Sequence, residues 1–281
     1  MDEGTIRRMD IPDFRALLGR PADSVETMFD LGHRAVWKVR SRADTFVVKA
    51  DDRPGHTANE VVAQQHARRF GIPAPEIIGF ETTSPAAVAM FWAEGVPLHA
   101  HSTTAAKRDV GRWLRAIHGL PMLRPRETSI DEWLVAWLEE ELDYMVQQEA
   151  VPAADRKAAL EATERLRPVL ESTPSAWIHG DCQAAHFLVD PETDLVTAVL
   201  DWADAQHGLP EMDLATLTLF DADSLDEILV GYGAGDDLKE RLALPLYHAA
   251  RGAGSFRWLQ TYHNDKRLFA VDRVKALAGW Q

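Results

Sequence analysis

The sequence predicts an α+β fold with two lobes, a small β-rich N-lobe and a larger, mainly helical C-lobe. Two observations predict it. The first 93 of the 281 residues contain five strand-like segments and one long helical segment. After residue 94 the apolar residues follow the helical period over most of the chain, with one short hairpin between the helices. We therefore divide the chain into an N-lobe, 1–93, and a C-lobe, 94–281.

The predicted N-lobe begins with a short helix over residues 11–19, which has a proline near its start and a glycine at its end. Apolar and β-branched runs predict strands over 24–31, 35–39, 45–49, 76–80 and 87–92. Between the third and fourth strands, apolar residues at helical spacing predict a helix over 58–70. These elements indicate a five-strand sheet with one helix packed on it.

The predicted C-lobe is mainly helical. Its helices are expected over roughly 103–118, 130–148, 153–171, 211–220, 224–234, 236–252 and 255–278. The strands of the hairpin are expected at 187–189 and 195–200, joined by a turn over 190–194. The hairpin is the one strand feature that we predict in this lobe.

The charge of the chain is distributed unevenly. The net charge is −14, with 13 acidic and 12 basic residues in 1–93 and 31 acidic and 18 basic residues in 94–281. This balance argues against a nucleic-acid partner, which needs clustered Lys and Arg. The acidic C-lobe would attract a cationic partner, although an acidic surface also serves solubility.

We expect a soluble, cytoplasmic protein without a membrane partner. Cys182 is the single cysteine, which excludes an internal disulfide and fits a reducing compartment. The longest apolar run, 86–93, is far too short to cross a bilayer. Residues 1–4 are charged and lack the apolar core of a signal peptide.

Three polar side chains flank the predicted hairpin. Asp181 and His186 precede its first strand, and Asp201 follows its second strand. Because a hairpin returns on itself, we expect these side chains to converge at its open end. Two carboxylates and an imidazole at one point suggest a metal site, a proton acceptor, or both.

Lys49 ends an apolar strand, and Glu60 follows on the next helix. A lysine on a strand can neutralise phosphate oxygens, and a glutamate on a helix can hold it in place. Taken alone, the pair also fits a solvated lysine at a strand end. The sequence contains neither a Walker-type phosphate loop nor a G-x-G-x-x-G fingerprint.

Together these motifs resemble the aminoglycoside phosphotransferase family, which shares the protein-kinase-like fold. The motifs in the second lobe are His179-Gly180-Asp181, His186, Asp201-Trp202 and Asp213-Leu214-Ala215. Those before them are the Gly32 turn, Lys49, Glu60, residues 90–95 and the helix end at 114–118. Their order along about 190 residues makes the resemblance specific, since each motif alone would be weak.

The resemblance implies a role for each of five residues in phosphoryl transfer. Asp181 would be the catalytic residue that accepts or orients the proton of the acceptor hydroxyl. Asp201 would bind magnesium, Lys49 would contact the nucleotide phosphates, and Glu60 would hold Lys49. Gly32 would let the strand turn lie over the phosphates, since it carries no Cβ.

Other residues would support the site. Phe91 and Ala93 would offer backbone groups to the adenine edge. His179 and Asp213 would brace the catalytic loop. His186 stands where the family usually has asparagine, and it is expected to be a second metal ligand. A hydrogen bond to Asp181 or to a phosphate, or a different kind of site, remain as alternatives.

We therefore predict a small-molecule kinase that uses ATP, or GTP, with Mg²⁺. The charge asymmetry favours a cationic antibiotic as the acceptor, either an aminoglycoside or a basic peptide, and resistance as the result. A macrolide, choline, an amino sugar or homoserine are alternative acceptors. A metal-dependent hydrolase and an inactive nucleotide-binding regulator are weaker alternatives. We expect a monomer or weak dimer.

Overall fold

The computed structural model describes residues 9–83, 85–99, 101–124, 127–219 and 221–280. The predicted features at 1–4 and at Phe220 lie outside these ranges. Within them, none of the helices is long and apolar enough to cross a membrane. The α+β fold class predicted from the sequence is confirmed.

The chain forms two compact units. The first contains residues up to Leu98 together with Ala185–Ala205, and the second contains His99–Ala184 with the residues from Gln206 onward. This grouping differs from the predicted single boundary at residue 93. The hairpin belongs to the first unit, where its first strand pairs with the short strand at Val96–Pro97.

Over its described residues, the first unit contains two α-helices, a five-strand sheet and a three-strand sheet. The helices are α1 (Phe14–Leu18) and α2 (Pro54–Arg69). The strands are β1 (Ser24–Asp30), β2 (Arg34–Ser41), β3 (Asp44–Asp51), β4 (Ile77–Glu81), β5 (Ala86–Phe91), β6 (Val96–Pro97), β8 (Phe187–Val189) and β9 (Val196–Val199). The larger sheet is antiparallel in the order β1-β2-β3-β5-β4, and the smaller one is ordered β6-β8-β9.

Strand β3 determines where Lys49 points. Side chains alternate between the two faces of a strand. Phe46 and Val48 lie in the core on one face of the sheet. Val47 packs instead against a separate cluster that includes Val61 of α2, on the other face. Lys49 follows the alternation of Val47, so its side chain is on the face that carries α2.

The second unit is mainly helical. Its helices are α3 (Thr104–His118), α4 (Ile130–Gln147), α5 (Ala153–Ser172), α6 (Pro210–Leu217), α7 (Leu225–Tyr232), α8 (Asp236–Ala243), α9 (Pro245–Tyr262) and α10 (Arg267–Ala278). Strands β7 (Ala176–Ile178) and β10 (Gln206–Gly208) pair antiparallel. The core lies between α4, α5, α9 and α10; Leu134, Leu138, Leu142 and Met145 of α4 are fully buried.

Several predicted elements of the second half were wrong in detail. The predicted helix 236–252 is two helices, because Leu244 is extended before Pro245, which opens α9. The predicted helix 255–278 is also interrupted, at His263, where the backbone leaves the helical region. Strands β6, β7 and β10 were not predicted, because a run of two or three residues is too short to show the alternation of apolar and polar residues that identifies a strand.

Candidate active site

The first unit contains a cavity of about 360 Å³. Part of its wall is apolar, including Val36, Val47, Met90, Leu188 and Leu200. Another part carries four ionisable side chains: Arg34, Lys49, His186 and Asp201. An apolar pocket with a few convergent polar groups is the usual form of a small-molecule site.

Lys49 lies between two carboxylates. Its Nζ is 2.5 Å from Glu60 Oε1 and 3.1 Å from Asp201 Oδ1. Burial opposes the charged lysine, but Asp201 and Glu60 outweigh it and raise the pKa of Lys49 above its ordinary value. The lysine is therefore a fixed positive charge on the wall of the cavity.

Asp201 follows β9 and has a left-handed backbone, with φ at 62°. Burial favours its neutral form, but Lys49 and Arg34 hold its pKa well below the ordinary value. Its Oδ2 is 3.7 Å from Nε2 of His186, which precedes β8. The hairpin thus brings His186 and Asp201 together as predicted, and Asp201 remains an anion suited to a metal cation.

Helix α2 also holds the turn after Asp201. Asn59 Nδ2 donates hydrogen bonds to the carbonyl oxygens of Ala203, at 2.7 Å, and Ala205, at 3.0 Å. His56 lies one turn earlier on the helix, with its Nε2 3.6 Å from Asp204 Oδ1. The sequence reasoning missed these contacts, because nothing local to α2 identifies a turn about 145 residues away.

The structure also shows where Gly32, Phe91 and Ala93 lie. Gly32 has a left-handed φ of 79° and donates its N–H to Asp30 Oδ1 at 2.8 Å, so the turn needs glycine. Phe91 and Ala93 line the cavity. The Phe91 N–H donates to the Glu76 carbonyl at 2.9 Å, so this N–H is engaged within the protein.

Asp181 lies in the second unit, in the loop after β7. Nε2 of Gln183 donates to both of its carboxylate oxygens, at 2.9 and 3.1 Å. Nη2 of Arg251, from α9, is 3.9 Å from Oδ1. The Arg251 guanidinium also lies 5.8 Å from the ring centroid of Trp137, against which Trp133 is stacked. Neither Gln183 nor Arg251 was among the predicted site residues.

Asp213 is fully buried in α6 and binds the loop that carries Asp181. Its two oxygens accept hydrogen bonds from the backbone N–H groups of His179, at 2.7 Å, and Gly180, at 2.9 Å. His118 Nε2 lies 3.0 Å from Oδ2. Burial opposes its ionised form, but His118 and His179 outweigh burial and keep the pKa of Asp213 below its ordinary value.

Cys182 stands beside Asp181 in sequence and is fully buried. Burial, and then the charges of Asp213 and Asp181, raise the pKa of its thiol well above the ordinary value. A thiol that stays protonated is a poor nucleophile, so covalent catalysis by Cys182 is disfavoured.

The fold is kinase-like, and a match to a family model identifies the chain as a phosphotransferase. The chain belongs to the phosphotransferase enzyme family, whose model matches residues 29–252. The family predicted from the sequence motifs is thereby confirmed.

Solved structures share the fold at low sequence identity. A thermostable mutant of aminoglycoside phosphotransferase APH(4)-Ia, in ternary complex with ADP and hygromycin B, is 17% identical with a TM-score of 0.72, covering 93% of this chain and 95% of that one. Choline kinase LicA from Streptococcus pneumoniae is 17% identical, with a TM-score of 0.70 and coverage of 92% and 94%. A putative fructosamine-3-kinase from Thermobifida fusca is 23% identical, with a TM-score of 0.70 and coverage of 94% and 96%. No curated protein matches the sequence.

Proposed function

We propose that the protein is an ATP-dependent O-phosphotransferase that phosphorylates a hydroxyl group of a small acceptor. The observation that carries the proposal is the cavity in which Lys49, held by Glu60, lies 3.1 Å from the anionic Asp201. Phosphoryl transfer depends mainly on positioning and charge neutralisation, which such a set of groups supplies. The ADP and hygromycin B bound to the APH(4)-Ia structure support a nucleotide and a small acceptor.

The residues of the first unit would bind the nucleotide. Lys49 would neutralise phosphate oxygens, and the apolar wall would enclose the base. The Phe91 carbonyl and the Ala93 N–H would bind the amino group and a ring nitrogen of adenine. Gly32 would let the β1–β2 turn approach the phosphates.

Asp201 and His186 fit a divalent metal. A permanently ionised carboxylate is a normal ligand for Mg²⁺, and an imidazole is also accepted by Mn²⁺. When bound, the ion would neutralise charge on the nucleotide phosphates. His186 would bind the same ion from its present place near Asp201.

Asp181 would act on the acceptor. We propose that its carboxylate orients the acceptor hydroxyl and takes up its proton as the phosphoryl group is transferred. Gln183 would hold that carboxylate in one orientation through its two hydrogen bonds. Asp213 would fix the loop by binding the backbone on the N-terminal side of Asp181.

A cationic antibiotic is our first candidate for the acceptor, because residues 94–281 hold 31 acidic and 18 basic residues. Phosphorylation of one hydroxyl would weaken the binding of the drug to its target and so confer resistance. Aminoglycosides and basic peptides have the required charge.

A neutral or metabolic acceptor is the second candidate, and two observations favour a neutral one. A cation, Arg251, lies beside Asp181. The acidic run on α4 is also partly neutralised, since Arg156 pairs with Glu139 and Asp143. Separately, the structural likeness to choline kinase and to a putative fructosamine kinase supports a metabolic acceptor such as choline or an amino sugar, which are themselves cations and draw no support from those two observations.

The test is an ADP-release assay with ATP, and with GTP, against aminoglycosides, basic peptide antibiotics, macrolides, choline and amino sugars. The variant Asp181→Asn is compared with Asp237→Asn, which changes an exposed acid of α8. We expect acceptor-dependent ADP release by the wild type and by Asp237→Asn, and a loss of at least about 100-fold in Asp181→Asn. Full activity in Asp181→Asn would refute the role of that residue, and no acceptor-dependent release would refute the proposed reaction.

A further inference from the structure

Arg34 opens β2, directly after the Gly32 turn, and forms an ion pair with Asp201. Its Nη2 lies 2.9 Å from Asp201 Oδ2 and 3.2 Å from Oδ1. Lys49 Nζ lies 3.1 Å from Oδ1. Both oxygens of the carboxylate that is suited to a metal are therefore engaged by cations of the protein itself.

The pair is largely shielded from water. The side chain of Arg34 is 24% exposed and that of Asp201 is 18% exposed. Charges in such a place interact more strongly than on an open surface. A divalent ion bound to Asp201 would bring two positive charges next to the Arg34 guanidinium, so the metal and Arg34 compete for the same carboxylate.

A nucleotide offers Arg34 an alternative partner. Arg34 lines the same cavity as Lys49. A guanidinium binds phosphate oxygens with the same forked geometry that it uses for a carboxylate. Arg34 also follows the left-handed Gly32, whose turn would lie over the phosphates in the proposed function. A short movement of the side chain would thus exchange a carboxylate for a phosphate.

We propose that Arg34 is a positioning residue that couples the binding of metal and nucleotide. It pairs with Asp201 until nucleotide phosphates attract it, and its departure frees Asp201 for the metal. Metal without nucleotide must displace Arg34 and binds weakly, whereas nucleotide and metal together bind cooperatively. The inference rests on the proposed function, because it assumes that the cavity takes a nucleotide.

The test compares Arg34→Gln with Arg40→Gln, which removes an exposed arginine from the same strand. Binding of Mn²⁺ alone is followed by the EPR signal of the free ion, and binding of ADP is followed by calorimetry with and without Mn²⁺. We expect Arg34→Gln to bind Mn²⁺ alone about fivefold tighter than the wild type, and ADP alone about tenfold more weakly. The factor by which Mn²⁺ strengthens ADP binding should fall towards one, while Arg40→Gln should match the wild type.

A second variant, Arg34→Lys, keeps the charge and loses the forked geometry, and we expect it to fall between the wild type and Arg34→Gln in both measurements. Arg34→Lys also tests the proposal if Arg34→Gln does not fold. If the variants bind ADP but show the wild-type affinity for Mn²⁺ and the wild-type coupling between Mn²⁺ and ADP, the role of Arg34 is overturned while the nucleotide site stands. No ADP binding by the wild type would overturn the nucleotide site, and this inference with it.

Discussion

The side chain of Asn59 is hydrogen-bonded to the backbone of Ala203, with Nδ2 2.7 Å from the carbonyl oxygen. The same amide group also donates to Ala205 at 3.0 Å. Since Ala203 lies two residues after Asp201, α2 holds both Glu60, the partner of Lys49, and the turn that orients Asp201. One helix therefore positions two of the charged groups in the cavity.

We predict that Asn59→Ala loosens this turn. Removal of the two hydrogen bonds should lower the free energy of unfolding by about 1–2 kcal/mol. If the proposed function is correct, phosphoryl transfer should also slow by about tenfold or more, because small displacements of a site carboxylate are costly. Urea denaturation and ADP release measure the two effects.

The control for this prediction is Gln65→Ala, which removes an exposed amide side chain from the same helix. Asn59→Asp is a sharper variant, because it keeps the shape but places an acceptor against two carbonyl oxygens, and it should be at least as harmful as Asn59→Ala. Equal stability and equal activity of Asn59→Ala and Gln65→Ala would show that the turn does not depend on Asn59.

His56 makes the stability of the first unit depend on pH. Its Nε2 faces Asp204, and its Nδ1 lies 3.0 Å from Asp51 Oδ2. The nearby carboxylate of Asp204, and then the hydrogen bond with Asp51, raise the pKa of His56 from 6.5 to about 9, against the opposing effect of burial. The pKa of His56 is higher in the folded protein than in the unfolded chain. The stabilisation that protonated His56 contributes is therefore complete below pH 6.5 and is lost as the pH rises through about 9.

We predict that His56→Gln is less stable than the wild type by about 1–3 kcal/mol near pH 6, after allowance for the exposed Asp204. The difference should shrink between pH 6.5 and 9 and then disappear. Urea denaturation across this range measures it. Asp204→Asn should reduce the pH dependence in the wild-type background, and a difference that stays constant with pH would contradict the assignment.

Asp213→Asn should disrupt the loop that carries Asp181. An amide group at this place would set its N–H₂ against a backbone N–H of His179 or Gly180, both of which donate to Asp213. We expect a loss of about 2–4 kcal/mol in the free energy of unfolding, because a buried network loses one acceptor and its charge. Asp237→Asn, at an exposed position of α8, is the matched control and should change stability little. Equal stability of the two variants would contradict the bracing role of Asp213.

The sequence predicted the parts of the site that depend on local pattern. Lys49 follows from a β-branched strand, and His186 and Asp201 follow from the two strands of one hairpin. Their roles came from the motif order that the family shares. These role assignments stay predictions, whereas the fold class and the family are confirmed.

The missed contacts depend on tertiary packing. Arg34 and Asp201 are 167 residues apart, and their pairing depends on how β2 lies beside β3 and on where β9 ends. Arg251 reaches Asp181 from α9, whose start was itself wrongly predicted. A signal for that helix start was present, because Pro245 favours the first turn of a new helix over the interior of an old one.

Helices α3 and α7 cross at two glycines, and this contact gives a test of packing in the second unit. A Cβ added to Gly231 would lie 1.9 Å from the Arg108 carbonyl oxygen, and one added to Gly111 would lie 2.1 Å from the Ile228 carbonyl oxygen. Both obstacles are backbone atoms, so the helices would have to move apart to accommodate a methyl group.

We predict that Gly231→Ala lowers the free energy of unfolding by about 2–3 kcal/mol, because overpacking at a backbone contact outweighs the gain in helix propensity. The control is Gly55→Ala in α2, where a Cβ would meet nothing within 4 Å. That substitution should stabilise the protein by about 0.5–1 kcal/mol. Urea denaturation measures both changes.

ADP affinity should be unchanged in Gly231→Ala, because the cavity is lined by residues of the first unit. If Gly231→Ala were as stable as Gly55→Ala, the close crossing of α3 and α7 would be wrong.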